Sequence, residues 1–401
     1  MKPAIASRDQ TKEVPKMLPL VALLAIAKTI SPSDLQQAGV YNRYSTWKTL
    51  GELGENIRKD YKLPGFCLGY QQIGQPSQVA ALGLRSTQNQ ASFIQEDDRM
   101  LVGSIGEIMT ATMVARLIEQ QKLGWKTTLE FALPGMKMQE SYKKITIEQL
   151  LNHSSGLPPE NWITQETFDR IMAKAETATN ARKAYVTELL SQEPSTAGAQ
   201  AKSSRVDYVV VGYIVERLIH QSYEWIMERN LFNPMKMSSA TIEPVGSEGQ
   251  VGSQNEVLPH ILGDFGYAPF IMPFSKVDWI MAPAGAGLSC SVGDLLKFAM
   301  FHLRAMKGDA QVLTADSYKI LHTAPTGQLG EKLAFGWVTE PQLAGETCFR
   351  QIGSDGTFQA DVTLWPARNL AVVAMTNAGI MRKPTPNMLA ILSIRDRFEG
   401  E

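Results

Sequence analysis

Gly103-Ser104-Ile105-Gly106-Glu107-Ile108-Met109-Thr110-Ala111-Thr112-Met113-Val114-Ala115 is the stretch whose reading decides the fold. Ile105, Ile108, Met109, Thr112 and Met113 recur at helical spacing, and the pattern continues through Ala115 to Ile118 before Gly124. That spacing predicts a helix buried on most of its sides. A serine at the head of such a helix stands where the nucleophile of a Ser-x-x-Lys arrangement stands. There a lysine one turn along, its pKa depressed, removes the hydroxyl proton. Here the third residue after Ser104 is Glu107, a carboxylate in place of the amine. It also accepts a proton, with opposite charge and weaker basicity.

Outward from this helix, Phe66 to Tyr70 and Gln78 to Leu84 are short apolar runs separated by Gly74-Gln75-Pro76, a hairpin signal. From about Thr127 to Asp278 the pattern is helix-rich with long Gly/Pro/Ser loops, including helices over Val209 to His220 and Tyr223 to Asn230. After Pro283-Ala284-Gly285-Ala286-Gly287 a helix runs through Asp294 and Phe298. Strand-like runs follow at Phe335–Thr339, Thr347–Ile352, Thr357–Trp365 and Leu370–Thr376, and an amphipathic helix closes the chain over Pro386–Phe398. The expected fold is α/β plus all-α: an antiparallel sheet flanked by helices, built from both ends of the chain, with an inserted helical lobe. The expected division is 50–110 and 285–401 for the sheet domain and 111–284 for the lobe.

The chain has 401 residues, 44% of them hydrophobic, and a formal net charge of -1, so one large core or two sharing an interface is affordable. Near-zero charge gives no reason to expect nucleic acid or an anionic membrane surface as partner. Cys67, Cys290 and Cys348 are far apart, without Cys-x-x-Cys or Cys/His ligand spacing, so neither a disulfide framework nor a structural zinc is expected, and with no cofactor motif or metal-ligand cluster in the sequence no metal and no cofactor is expected. Residues 1–28 read as a leader: Lys2, Arg8, Lys12 and Lys16 precede the apolar run Met17–Ala27, which ends in the small-x-small signal Ala25-Ile26-Ala27. The run is about half of the roughly 20 residues of a membrane span, so no stable span is expected. Cleavage would place the protein in the periplasm or outside the cell; a docking N-terminal helix in a cytoplasmic protein is the other reading.

Seven landmarks in order complete the pattern: Leu63-Pro64-Gly65, Gly103-Ser104-Ile105, Ile147–Leu157 (IEQLLNHSSGL), Tyr208–Glu216 (YVVVGYIVE), Asn230–Met237 (NLFNPMKM), Pro283–Leu288, and Leu364 to Asn377. On these the chain, from about Leu50 onward, resembles the serine β-lactamase and penicillin-binding protein superfamily, in particular its class C-like esterases and D-aminopeptidases. The resemblance implies a nucleophile at Ser104, with Glu107 at the lysine position, Ser203 and Arg205 at the positions of a Tyr-x-Asn loop, and Gln351 at the head of the closing strand motif. It also implies an oxyanion hole from the backbone amides of Ser104 and Ser354. Two other Ser-x-x-Lys matches, Ser45 to Lys48 and Ser141 to Lys144, precede no long apolar helix and are set aside, as is His322-Thr323-Ala324 in its loop.

Within that framework Glu107 and Arg205 are expected to face each other as an ion pair, since a buried carboxylate needs a cation. His153 is read as a helix-terminus residue that supports the fold. Trp162 and Trp279 are candidates to contact substrate, while Trp225 and Trp337 read as core. Three functions stay open. Ser104 acts on an ester, amide or other acyl or peptidyl substrate, with Glu107 as base or in a relay through Ser203; or Glu107 and Arg205 run non-covalent acid/base chemistry; or the cleft binds without catalysis. Oligomeric state is not readable.

Overall fold

The apolar run after Ser104 becomes the helix Ile105–Glu119, and every residue from Ile105 to Ala115 is buried, as a helix apolar on all sides requires. The computed structural model describes residue 44 and residues 46–159, 162–194, 204–243, 256–270, 276–324, 333–343, 346–379 and 384–398. The expected leader and Ser203 lie outside the described residues.

The strands are β1 (Gly65–Gln72), β2 (Gln78–Gly83), β3 (Met100–Leu101), β4 (Thr241–Ile242), β5 (His260–Gly263), β6 (Gly266–Pro269), β7 (Leu288–Cys290), β8 (Leu333–Ala334), β9 (Trp337–Leu343), β10 (Glu346–Ser354), β11 (Gln359–Trp365) and β12 (Leu370–Thr376). Seven form one antiparallel sheet in the order β2-β1-β12-β11-β10-β9-β8, joining the N-terminal hairpin to the last strands. The sheet is thus built from both ends of the chain. Every residue of β11 and β12 is buried, because helices cover both faces. Leu68 packs toward Gly54 of the helix Leu50–Tyr61, while its neighbour Gly69 faces Val292 and Leu296. Adjacent strand residues point to opposite faces, so Leu50–Tyr61 and Val292–Ala305 lie on opposite sides of the sheet.

The closing helix Pro386–Arg397 is not amphipathic: its residues from Pro386 to Arg395 are all buried, since it packs against both β12 and the helix Leu50–Tyr61. Phe335 also departs from expectation. It adopts φ 50° in the turn before β9 instead of extending that strand.

Between β3 and β7 the chain forms mostly helices, fastened by a buried cation. Arg182 on the helix Ala178–Ser191 places Nη2 2.6 Å from Glu216 and 2.9 Å from Glu224. The helix Ile105–Glu119 touches strands β10 and β11 and also the helix Arg205–Ile219, so it joins the sheet to the helical region. Trp337 is fully buried, whereas Trp225 is 41% exposed instead of lying in the core.

Two backbone contacts seat the head of the Ser104 helix. A Cβ on Gly106 would lie 2.3 Å from the Gly285 Cα, and one on Gly353 would lie 1.8 Å from the Val102 carbonyl oxygen and 2.9 Å from the Ser104 nitrogen. Both are closer than any side chain fits, so glycine is what permits the approach. Gly353→Ala should lower the unfolding free energy by about 2 kcal/mol or more. Gly51→Ala, in the first turn of Leu50–Tyr61 where an added Cβ would meet only Thr49 Oγ1 at 3.9 Å, should leave it unchanged or raise it by about 0.5 kcal/mol. Urea unfolding of the two variants checks both; equal stability would contradict the contact.

Candidate active site

Ser104 and Glu107 occupy the first and fourth positions of a Ser-x-x-Glu sequence, which could close a capping box at a helix start. It does not form. Ser104 sits at φ -60°, ψ -5°, and its side chain makes no capping hydrogen bond. The amides of Ile105, Gly106 and Glu107 instead donate to the carbonyls of Val102, Gly103 and Ser104 at 3.3, 2.8 and 3.1 Å. Tight i to i+3 bonds satisfy the first-turn donors, which leaves the hydroxyl of the half-buried Ser104 uncommitted.

The end of β10 lies against this turn. A Cβ on Gly103, which has φ 53°, would fall 2.4 Å from the Ser354 nitrogen, so the two amides of Ser104 and Ser354 are neighbours. The direction of the Ser354 amide follows from strand geometry. The Ile352 amide donates to Gln351 Oε1 at 3.1 Å, off the edge that β11 does not cover. Backbone amides alternate between edges along a strand, so the Ser354 amide, two residues on, leaves by the same edge. The Ser354 side chain is held in the following turn, its Oγ donating to the Phe358 carbonyl at 2.7 Å and accepting from the Gly356 amide at 3.0 Å. Gln351 reaches the Ser104 carbonyl through Nε2 at 3.4 Å. It therefore ties the strand to the turn, and its amide has no proton to exchange near neutral pH.

The expected Glu107–Arg205 ion pair is not formed. Glu107, only 3% exposed, has His153 as its cation: Nε2 lies 3.4 Å from Oε2, an ion-pair contact without hydrogen-bond alignment. On the other side of the ring, Nδ1 lies 3.6 Å from Asp207 Oδ2 and 3.1 Å from the Ser204 carbonyl. Asp207 Oδ1 accepts from Ser155 Oγ at 2.5 Å. Burial works against charging His153, but Asp207 and Glu107 outweigh it and raise its pKa to about 10, so the ring is an imidazolium at neutral pH. Burial raises the Asp207 carboxyl above the usual carboxylate range, opposed by His153 and Ser155. Arg205 is the first residue of the helix Arg205–Ile219, two positions before the residue that faces the ring.

Local structure delivers His153. The short helix Ile147–Leu151 is opened by a capping box between Thr146 and Gln149. It ends at Asn152, whose Oδ1 accepts the Phe335 amide at 2.9 Å. His153 then takes the left-handed φ of 53°, which turns its ring onto Tyr208, with centroids 5.2 Å apart. Two buried carboxylates in otherwise apolar helices, Glu107 and Asp207, were the sequence signal that a buried cation had to stand between them.

Ser104, Glu107, Gln351 and the Ser354 amide are thus brought together. Trp162 and Trp279 both bond to the helix Ala178–Ser191. Trp162 Nε1 donates to Tyr185 Oη at 2.8 Å, and Trp279 lies on the helix Lys276–Met281 and not on a loop, its carbonyl accepting from Arg182. Among the described residues no group of three or more His, Cys, Asp or Glu side chains is placed to hold a metal ion, and no helix is long and apolar enough to cross a membrane.

Comparison with known proteins agrees with this architecture. Penicillin-binding protein 4 of Amycolatopsis lactamdurans is 24% identical over 337 residues, 81% of this chain and 83% of that protein. Protein flp of Staphylococcus aureus strain MW2 is 23% identical over 279 residues, 69% of this chain, and the match spans only 52% of that longer protein. The crystal structure of a class C beta lactamase from Rhodobacter sphaeroides superposes with a TM-score of 0.67 at 16% identity, covering 86% of this chain and 97% of that one, a likeness of fold. The family model described as Beta-lactamase matches residues 50–391. With the sheet, the Ser104 helix and the strand end against it all inside that span, the chain belongs to the beta-lactamase family.

Proposed function

We propose that this chain is a serine acyl-transferring enzyme acting on an ester or amide carbonyl, with Ser104 as nucleophile, and is not a conventional β-lactamase. The observation that carries the reading is the uncommitted Ser104 hydroxyl beside two neighbouring backbone amides, its own and that of Ser354. In the proposed reaction Ser104 Oγ adds to the carbonyl carbon as its proton passes to Glu107, one helical turn away on the same face. Negative charge then develops on the carbonyl oxygen, where the amides of Ser104 and Ser354 receive it. One such donor is worth about 3 kcal/mol of barrier. Collapse breaks the bond to the leaving group, which takes the proton back from Glu107, and water releases the acyl group from Ser104.

His153 is a positioning residue in this scheme. Its charge, 3.4 Å from Glu107, fixes the carboxylate in a site where an unpaired anion would be costly, while Asp207 and Ser155 hold the ring from behind. One observation favours a second reading, a cleft that binds without turnover: Glu107 is almost fully buried and its charge is already committed to His153.

Treatment with a fluorophosphonate separates the readings. Ser104 should gain the phosphonyl mass and Ser104→Ala should not, while Glu107→Gln should slow labelling by about 100-fold or more. Rapid labelling that survives Glu107→Gln would remove the carboxylate from the scheme, and no labelling would favour the binding cleft. The imidazolium makes a separate prediction. Its folded pKa of about 10 exceeds the ordinary 6.5, so its contribution to stability is complete below pH 6.5 and is lost as pH rises toward 10. Over that window the unfolding free energy should fall by up to about 1.4 kcal/mol per pH unit more steeply in the wild type than in His153→Asn. Parallel slopes in urea titrations would show that His153 is not held charged.

A further inference from the structure

A polar cleft lies where the start of the helix Ala178–Ser191 meets the end of the helix Arg205–Ile219. It encloses about 500 Å³ and is lined by side chains that include Asn180, Lys183, Tyr213, Glu216, Arg217 and His220, a size within the roughly 300–1,000 Å³ range of small-molecule sites. Glu216 is nine residues beyond Asp207 on the same helix, about 14 Å along the axis at 1.5 Å per residue. The cleft and the Ser104 site thus sit toward opposite ends of one helix.

The one carboxylate that lines the cleft is already occupied. Glu216 Oε1 accepts from Thr179 Oγ1 at 2.6 Å, from Arg182 Nη2 at 2.6 Å and from the Tyr223 amide at 2.9 Å, and Arg182, fully buried beneath, cancels its charge. Arg182 also holds Glu224 at 2.9 Å, so with Lys183 and Arg217 three cations meet two carboxylates. The excess is on the lining. Among the described residues the Lys183 ammonium has no partner, and Arg217 Nη2 reaches the Pro134 carbonyl at 3.3 Å and no carboxylate. Tyr213 is only 6% exposed, yet its hydroxyl bonds to no group among the described residues. Burial raises its pKa, which keeps it a donor at neutral pH. A polar group so placed, without a protein partner, is one that a ligand can satisfy.

We infer that this cleft is a second binding site, for a small organic anion that carries a phosphate or carboxylate group. Lys183 and Arg217 take the charge in bonds stronger than neutral ones, the Tyr213 hydroxyl and the Asn180 carboxamide donate to the remaining oxygens, and the Tyr213 ring lies against the apolar part. The first turn of Ala178–Ser191, a helix of 14 residues, adds the positive end of its dipole. The site stands apart from the Ser104 chemistry and does not depend on it.

Isothermal titration of the full chain with phenyl phosphate, benzoate and benzyl alcohol tests the site. At least one of the two anions should bind with a dissociation constant of about 1 mM or tighter, and benzyl alcohol, alike in its ring but uncharged, should bind at least about tenfold more weakly. Binding of phenyl phosphate alone identifies a phosphate as the recognised group, binding of benzoate alone a carboxylate, and binding of both the oxyanion chemistry they share. Lys183→Ala and Arg217→Ala should each weaken anion binding about tenfold, and Tyr213→Phe about threefold. Lys183 and Arg217 are exposed, so their removal leaves the fold intact. Lys126→Ala, which removes an 80% exposed cation elsewhere, should keep the wild-type affinity. Absence of binding by both anions, equal binding of benzyl alcohol, or an anion affinity that Lys183→Ala and Arg217→Ala leave unchanged or that Lys126→Ala lowers as much overturns the site.

Discussion

The approach of the Gly103-Ser104 turn to the Gly353-Ser354 strand end is the contact on which the rest of the site depends. Neither backbone could come so near with a side chain in the way, since a Cβ on Gly353 would collide with the Val102 carbonyl and one on Gly103 with the Ser354 nitrogen. The contact has two consequences. It joins the sheet to the helical region through one buried helix, and it sets two amides side by side without calling on any titratable side chain. Backbone amides placed in this way are insensitive to replacement of the side chains around them.

Charge in the site is organised around His153. A carboxylate buried at the head of an apolar helix must be paired or neutralised, and the pairing comes from an imidazolium gripped on its far side by Asp207. The arrangement keeps the local charge small and fixes three helices relative to one another, because the three groups come from Ile105–Glu119, the turn after Ile147–Leu151, and Arg205–Ile219. Breaking one member strands the other two in a dry environment, which is costly whatever the site's chemistry.

Periodicity and landmark order make most of the fold legible in the sequence. The helix after Ser104 and the buried strands β11 and β12 follow from apolar runs of the right length, and the β1–β2 hairpin from Gly74-Gln75-Pro76. The site is legible only in part. The Ser104 and Ser354 backbones lie close together, but the partner of Glu107 is not readable, because His153 depends on a left-handed residue after a five-residue helix. Pattern alone does not announce such a turn. Arg205 fails as the partner for a related reason: a helix begins at that residue, and Asp207 is the residue that faces His153. The β5–β6 hairpin escapes sequence reading because Leu262 and Phe265 are apolar and yet exposed, the reverse of what burial rules assume.

The central claim is that two backbone amides receive the charge formed when Ser104 attacks a carbonyl. Its most direct test is a crystal structure of the protein with an alkyl boronic acid added at Ser104. A boronate oxygen about 2.7–3.1 Å from both the Ser104 and Ser354 nitrogens, with Glu107 still against His153, is the expected result. A boronate whose oxygens all face solvent, or a Ser104 that stays unmodified at saturating concentration, would contradict it.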